Sequence, residues 1–164
     1  MKIRIAQWGD LEALVEIYNQ AIMQGQKTAD TEPMSTRSRA QWFADHTPDQ
    51  YPLLVAQQAS GVVGYASISA YRPGRQAVRF TAEISYYVHV EHHRQGIASD
   101  LLRYALDIAP ACHLKTLFAI LVETNEASIR LLEKFGFERW GYLPNVADYA
   151  GVEVGHLYYG LRLD

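Results

Sequence analysis

The stretch from Tyr86 to Leu102, YYVHVEHHRQGIASDLL, constrains the fold more than any other part of the chain. An apolar, β-branched run stops at a basic, histidine-rich turn, and an amphipathic pattern begins at once. The order is strand, tight turn, helix. The first N–H groups of such a helix lack intrahelical partners. The helix dipole adds partial positive charge there, beside the full charge of Arg94. Gly96 and Ala98 remove side-chain bulk that would hold a ligand off the backbone. A turn of this kind suits a phosphate group.

The flanking pattern sets the rest of the fold. Ile3 to Ala6 alternates as a short strand, and Asp10 is placed to cap a helix carrying Leu11, Leu14, Val15, Ile17 and Tyr18 on one face. Residues 24–35 have turn composition and no period, so they are expected to form a loop. Ser35 should cap a second helix with Ala40, Trp42 and Phe43. Tyr51–Gln57 and Val62–Ala70 read as a hairpin about Ala59-Ser60-Gly61. Phe80–Val90 is a third long strand, and the helix after Gly96 should run to about Ala109. Leu117–Val122 is apolar throughout, as in a central strand. Ala127–Phe135 is a short helix ended by Gly136. Phe137–Tyr142 and Gly155–Leu163 are the expected last strands. The class is α/β in the α+β sense: one mixed, mostly antiparallel sheet with a parallel crossover, flanked by about four helices.

Length and composition limit the function. At 164 residues, without repeats or a linker, residues 1–164 read as a single domain. A net charge of −3 and no Lys/Arg run argue against nucleic acid as a partner. No apolar run is long enough to cross a membrane, and the first ten residues lack a signal-peptide core. The single cysteine, Cys112, has no evident base beside it, so it reads as a buried structural thiol in a reducing, cytoplasmic setting. Six histidines show no ligand spacing, and no metal site is expected.

A second signature follows the turn: Asn125-Glu126-Ala127-Ser128-Ile129-Arg130-Leu131-Leu132-Glu133-Lys134-Phe135-Gly136-Phe137. With it, the chain resembles the GCN5-related N-acetyltransferase (GNAT) superfamily. The segments Ile17-Tyr18-Asn19, Thr31-Glu32-Pro33, Trp42-Phe43, Tyr51 to Ala56, Gly64-Tyr65-Ala66 and Thr81 to Val88 are similar to the phosphinothricin acetyltransferase-like branch. The resemblance weakens after about Asp148.

The resemblance implies a GNAT fold, acetyl-CoA as co-substrate, a small-molecule amine acceptor such as an amino acid, and a homodimer. It places the pyrophosphate on backbone N–H groups of Gln95, Gly96, Ile97, Ala98 and Ser99, beside Arg94. It pairs the pantetheine arm with the strand end Val88, His89 and Val90, and makes the Val88 N–H the donor to the thioester oxygen. Asn125 and Ser128 are implied contacts to the arm; Asn125 reads equally as a helix N-cap. Glu83, the one carboxylate between Val78 and Val90, is the implied catalytic base. Its alternative is a strand-edge ion pair with Arg72 or Arg79. Arg72, with Tyr71 and Ser85, is implied on the acceptor side, where arginine would grip a carboxylate.

Four departures stand out. Leu132 occupies a position where relatives carry tyrosine or histidine, the former often proposed to protonate the departing thiolate. His93 replaces arginine or glutamine at the start of the turn. Ala29 replaces an aromatic residue bordering the acceptor pocket. Glu153 and Gly155 stand where a Trp and an Asp are usual. The leading expectation is direct acetyl transfer in a ternary complex. Two alternatives are acetylation of a protein amino terminus or lysine, and a non-catalytic CoA-binding sensor.

Overall fold

The computed structural model describes residues 1–163, and the statements below concern those residues. Strands are β1 (Lys2–Ile5), β2 (Leu53–Gln58), β3 (Gly61–Ala70), β4 (Thr81–Val88), β5 (Thr116–Val122), β6 (Glu138–Tyr149) and β7 (Val152–Arg162). Helices are α1 (Leu11–Met23), α2 (Thr36–Ala44), α3 (Ile97–Ile108) and α4 (Glu126–Lys134). The strands make one sheet in the order β1-β2-β3-β4-β5-β7-β6. Every neighbouring pair is antiparallel except β4 and β5, which are parallel and joined through α3. The α/β class and the mixed, mostly antiparallel sheet are as the sequence implied.

Two cores cover the two faces. Leu101, Leu102 and Ala105 of α3 and Leu132 of α4 pack on Ala66, Ile68, Ala82 and Ile84, all 1% exposed or less. Leu14, Ile17 and Tyr18 of α1 and Phe43 of α2 pack on Leu53, Val55 and Tyr65 across the sheet. Gly64 lets α3 close onto β3, because a Cβ there would stand 3.1 Å from Ile97 and 3.0 Å from the Tyr87 carbonyl.

Ser35 caps α2 as expected, accepting from the Ser38 N–H at 3.0 Å, whereas other local expectations need correction. Asp10 does not cap α1 through its side chain. Its carboxylate instead accepts from the Gln7 N–H and from Arg4 at 2.7 and 2.9 Å, tying the 3-10 turn Trp8–Asp10 to β1. The Arg4 guanidinium holds the Asp10 carboxyl below its usual range. The third long strand ends at Val88, not Val90; Val90–His92 is a 3-10 turn.

The largest difference is the final hairpin. Strand β6 continues to Tyr149 and β7 starts at Val152, so residues 143–149 and 152–154 are sheet rather than connection. Gly141, Pro144 and Asn145 hid this from the alternation test. The pairing slips between Arg139 and Gly141 and again between Leu143 and Ala147, which absorbs them. Trp140 and Tyr142 of β6 lie directly over Gly160 and Gly155, and a Cβ at either glycine would meet those rings.

Candidate active site

Alternation on β3 and β4 builds one wall of a cavity. Tyr65, Ser67 and Ser69 oppose Tyr87, Ser85 and Glu83, so three cross-strand pairs share the face toward α1 and α2. The cavity above them is about 360 Å³. Its other walls are Ile120, Val122 and His156 from β5 and β7, Tyr18 and Trp42 from the helices, and Lys27, Thr28 and Ala29 from the loop after α1. That loop is tied down. The Tyr18 hydroxyl bonds Thr28 at 2.7 Å and donates to Asp30, and the Tyr149 hydroxyl donates to the Thr28 carbonyl at 2.7 Å.

Among the described residues Glu83 is the only carboxylate lining this cavity, and burial raises its pKa. No ion pair reaches it among the described residues, so the strand-edge pairing with Arg72 or Arg79 does not form. Two cations line the same space. Arg39 lies 3.8 Å from the Trp42 ring centre and 4.8 Å from that of Tyr18, and Lys27 comes from the loop.

A second cavity of about 460 Å³ adjoins the first, with Lys27 and Tyr87 lining both. The gap exists because β4 and β5 pair only from Thr81 to Glu83 and then separate. Hydrogen bonds at both ends of the β3–β4 ladder, Tyr71 N–H to Thr81 and His89 N–H to Val63, aim the odd-numbered groups of β4 at β3. The N–H groups of Tyr86 and Val88, beyond the last paired residues, therefore face the gap.

At the far end lies the turn before α3. Gly96 has φ +83° and Arg94 φ +60°, both left-handed, and no side chain caps α3. A Cβ on Gly96 would meet nothing within 4 Å, so the glycine serves the turn's conformation. The free N–H groups of the first helical turn line this second cavity with Arg94, Asn125 and Ser128. Gly96→Ala should weaken the binding of a phosphate group at this turn roughly 5- to 30-fold, the equivalent of about 1–2 kcal/mol for a side chain forced into a left-handed backbone. Titration with inorganic pyrophosphate measures it.

A backbone anion cradle, a splayed pair of parallel strands and a half-buried carboxylate coincide with a match to the acetyltransferase (GNAT) family over residues 11–137. The chain belongs to this family.

Among curated relatives, YwnH of Bacillus subtilis is 40% identical over 152 residues, 92% of each chain. The L-amino acid N-acyltransferase MnaT of Escherichia coli is 32% identical over 164 residues, covering all of this chain and 95% of its own. An L-methionine sulfoximine/L-methionine sulfone acetyltransferase of Pseudomonas aeruginosa is 35% identical, covering 99% and 94%. The structure of a GNAT superfamily phosphinothricin acetyltransferase from Sinorhizobium meliloti in complex with acetyl-CoA superposes with a TM-score of 0.92 at 30% identity, covering 99% and 88%. The protein is a GNAT N-acetyltransferase of the phosphinothricin acetyltransferase-like branch, with acetyl-CoA as donor.

As a GNAT member, the chain brings most of the expected donor-side residues together. Val88, Arg94, Gly96, Ile97, Ala98, Ser99, Asn125 and Ser128 all line the second cavity. Asn125 stands at the N-cap of α4 without a side-chain cap bond, which leaves its amide free for that cavity. His89, Val90 and Gln95 do not line it. The His89 N–H is spent on Val63 and the Val90 N–H on Gln20 at 3.0 Å, and the Gln95 side-chain Nε2 donates to the Glu91 carbonyl at 3.3 Å. His93 has a local task, its ring bonding the Val88 carbonyl at 2.9 Å and holding the turn to the end of β4.

On the acceptor side the placement differs more. Ser85 lines the cavity with Glu83, whereas Tyr71 and Arg72 are exposed after β3 and do not. Tyr71 packs edge-on to Phe118, ring centres 5.0 Å apart. Sequence reasoning missed Lys27, Arg39 and His156. Lys27 sits in an aperiodic loop and His156 in a region where the family pattern fades. Only Arg39, three residues before Trp42, offered a signal, because i and i+3 share a helix face. Cys112 is buried in the core and burial raises its thiol pKa, consistent with a structural thiol. Among the described residues no helix is long and apolar enough to cross a membrane.

Proposed function

We propose that the enzyme acetylates the primary amine of an amino acid or amino-acid analogue by direct transfer in a ternary complex, with Glu83 as general base. The observation that carries this reading is a cavity with one carboxylate, raised in pKa by burial, faced by two cations. An ammonium group beside Glu83 gives up its proton there, and an acidic group on the same molecule pairs with Arg39 or Lys27. The Val88 N–H, aimed into the gap, is the donor to the thioester oxygen as negative charge develops on it. Acetyl-CoA supplies the activated acetyl group; the cradle at Gly96 to Ser99 holds its phosphates.

Protein acceptors fit less well, because the loop at Lys27 to Ala29 forms part of the cavity wall and limits it to about 360 Å³. Ala29 widens it slightly where relatives place an aromatic ring. Thiol release from acetyl-CoA across a panel of amino acids, analogues and peptides tests the reading. Turnover only with peptides, or none despite acetyl-CoA binding, would remove it. The same reading includes a homodimer in the cytoplasm. A row of exposed apolar residues on the final hairpin, Trp140, Tyr142, Leu143, Val146 and Val152, supports a second copy there. Light scattering in solution should give twice the chain mass.

A further inference from the structure

Tyr86 follows the even-numbered side of β4, so its ring lies on the α3/α4 face and packs against the core that contains Leu132. Its hydroxyl is buried and has no hydrogen-bond partner, and the residue lines the cavity shared by Val88, Asn125 and Ser128. An unpaired buried hydroxyl is costly to a fold, so one retained beside a ligand cavity points to a partner that arrives with the ligand. Acetyl transfer supplies such a partner. Breaking the thioester drives an electron pair onto sulfur inside a cavity with apolar walls. Leu132, fully buried on α4, offers that sulfur no hydrogen.

We propose that the Tyr86 hydroxyl donates a hydrogen bond to the departing CoA sulfur; this rests on the acetyl-CoA reading above. Burial pushes the phenol up to about 12, Ser128 countering part of the rise without closing a hydrogen bond. A free thiol titrates near about 8.5, so the phenol keeps its proton while stabilising the thiolate. In the balanced step the ammonium nitrogen first loses a proton to Glu83. The C–N bond then forms as the C–S bond breaks, its electron pair passing to sulfur. The nitrogen loses its second proton to solvent, and the thiolate is protonated by water on release.

The test compares CoA with desulfo-CoA, which lacks the sulfur, binding to the wild-type enzyme and to Tyr86→Phe by calorimetry at about pH 7 and about pH 9.5. A donor aimed at sulfur favours the thiolate and lowers the bound thiol's pKa. Wild-type affinity for CoA should therefore tighten roughly ten-fold or more as pH rises, and Tyr86→Phe should lose that response. Affinity for desulfo-CoA should be insensitive to the substitution at both values. Acetyl transfer by Tyr86→Phe should show a lower kcat with little change in the KM for acetyl-CoA. Its melting temperature should hold or rise, since the hydroxyl bonds nothing in the fold and its unpaired burial is a cost. An equal pH response in both proteins overturns the role of Tyr86 alone. Wild-type enzyme that binds no CoA overturns the donor reading and this proposal with it.

Discussion

Glu83→Gln is expected to lower kcat/KM by roughly 10²–10⁴-fold near neutral pH, the usual span for removing a positioned base. The amide keeps the size and hydrogen bonding of the side chain but cannot take a proton. The deficit should shrink as pH rises through the acceptor's own amine pKa, about 8 for an α-amino group, because the amine then arrives deprotonated. A pH–rate profile with the same shape in both proteins would remove Glu83 from the base role.

Stability should move the other way. Burial raises the Glu83 pKa in the folded state. Below the ordinary carboxyl pKa, both folded and unfolded chains carry the proton, and the side chain costs nothing as a charge. As pH climbs from that ordinary value through the raised one, the unfolded chain ionises first and folded stability is lost. Glu83→Gln should thus melt higher than wild type at neutral pH, and the difference should vanish in acid. Thermal melts across that range decide it. A stabilised, inactive variant separates a chemical role from a structural one.

Arg39→Ala is expected to raise the acceptor KM about 10- to 150-fold, the range for losing a hydrogen bond to a charged group. The KM for acetyl-CoA should stay near wild type, since Arg39 lines only the acceptor cavity. Arg39→Lys should recover little, because the planar guanidinium is held between the Trp42 and Tyr18 rings. Arg72→Ala is the companion measurement. Arg72 is exposed and outside the cavity, so its loss should cost far less. An Arg72→Ala defect equal to that of Arg39→Ala would return the acceptor's anchor to the connection after β3.

The donor side was legible in the sequence because its chemistry is local. The anion cradle needs only a strand end, two left-handed turn residues and a helix start, all between Val88 and Ser99. Glu83 could be found for a similar reason, as the single acid in an apolar strand. The acceptor side was not legible. Its lining comes from α1 and the loop after it, from α2, β3 and β4, and from β5 and β7, parts as far apart in the chain as Tyr18 and His156. No spacing rule links them. The substitution of glycine for the usual Asp at 155 hid a second fact, that Glu123 accepts from the Gly155 N–H and from the Tyr142 hydroxyl and so ties the hairpin to the end of β5.

Tyr86 shows the division most sharply. Its place in the run Thr81 to Val88 fixes which face it occupies, by the two-residue period of a strand. That the residue lines a cavity with its hydroxyl unpaired depends on α4 packing a leucine nearby and on β5 leaving β4 after Glu83. The sequence by itself determined the donor and the sheet, and singled out Glu83 as the carboxylate to test as base, because each is encoded over a few consecutive residues. The tertiary structure alone decided which cations share the cavity with Glu83 and that Tyr86 lines the neighbouring one with its hydroxyl unpaired. Those choices depend on where the strands separate and how the distant loop and hairpin close over the gap.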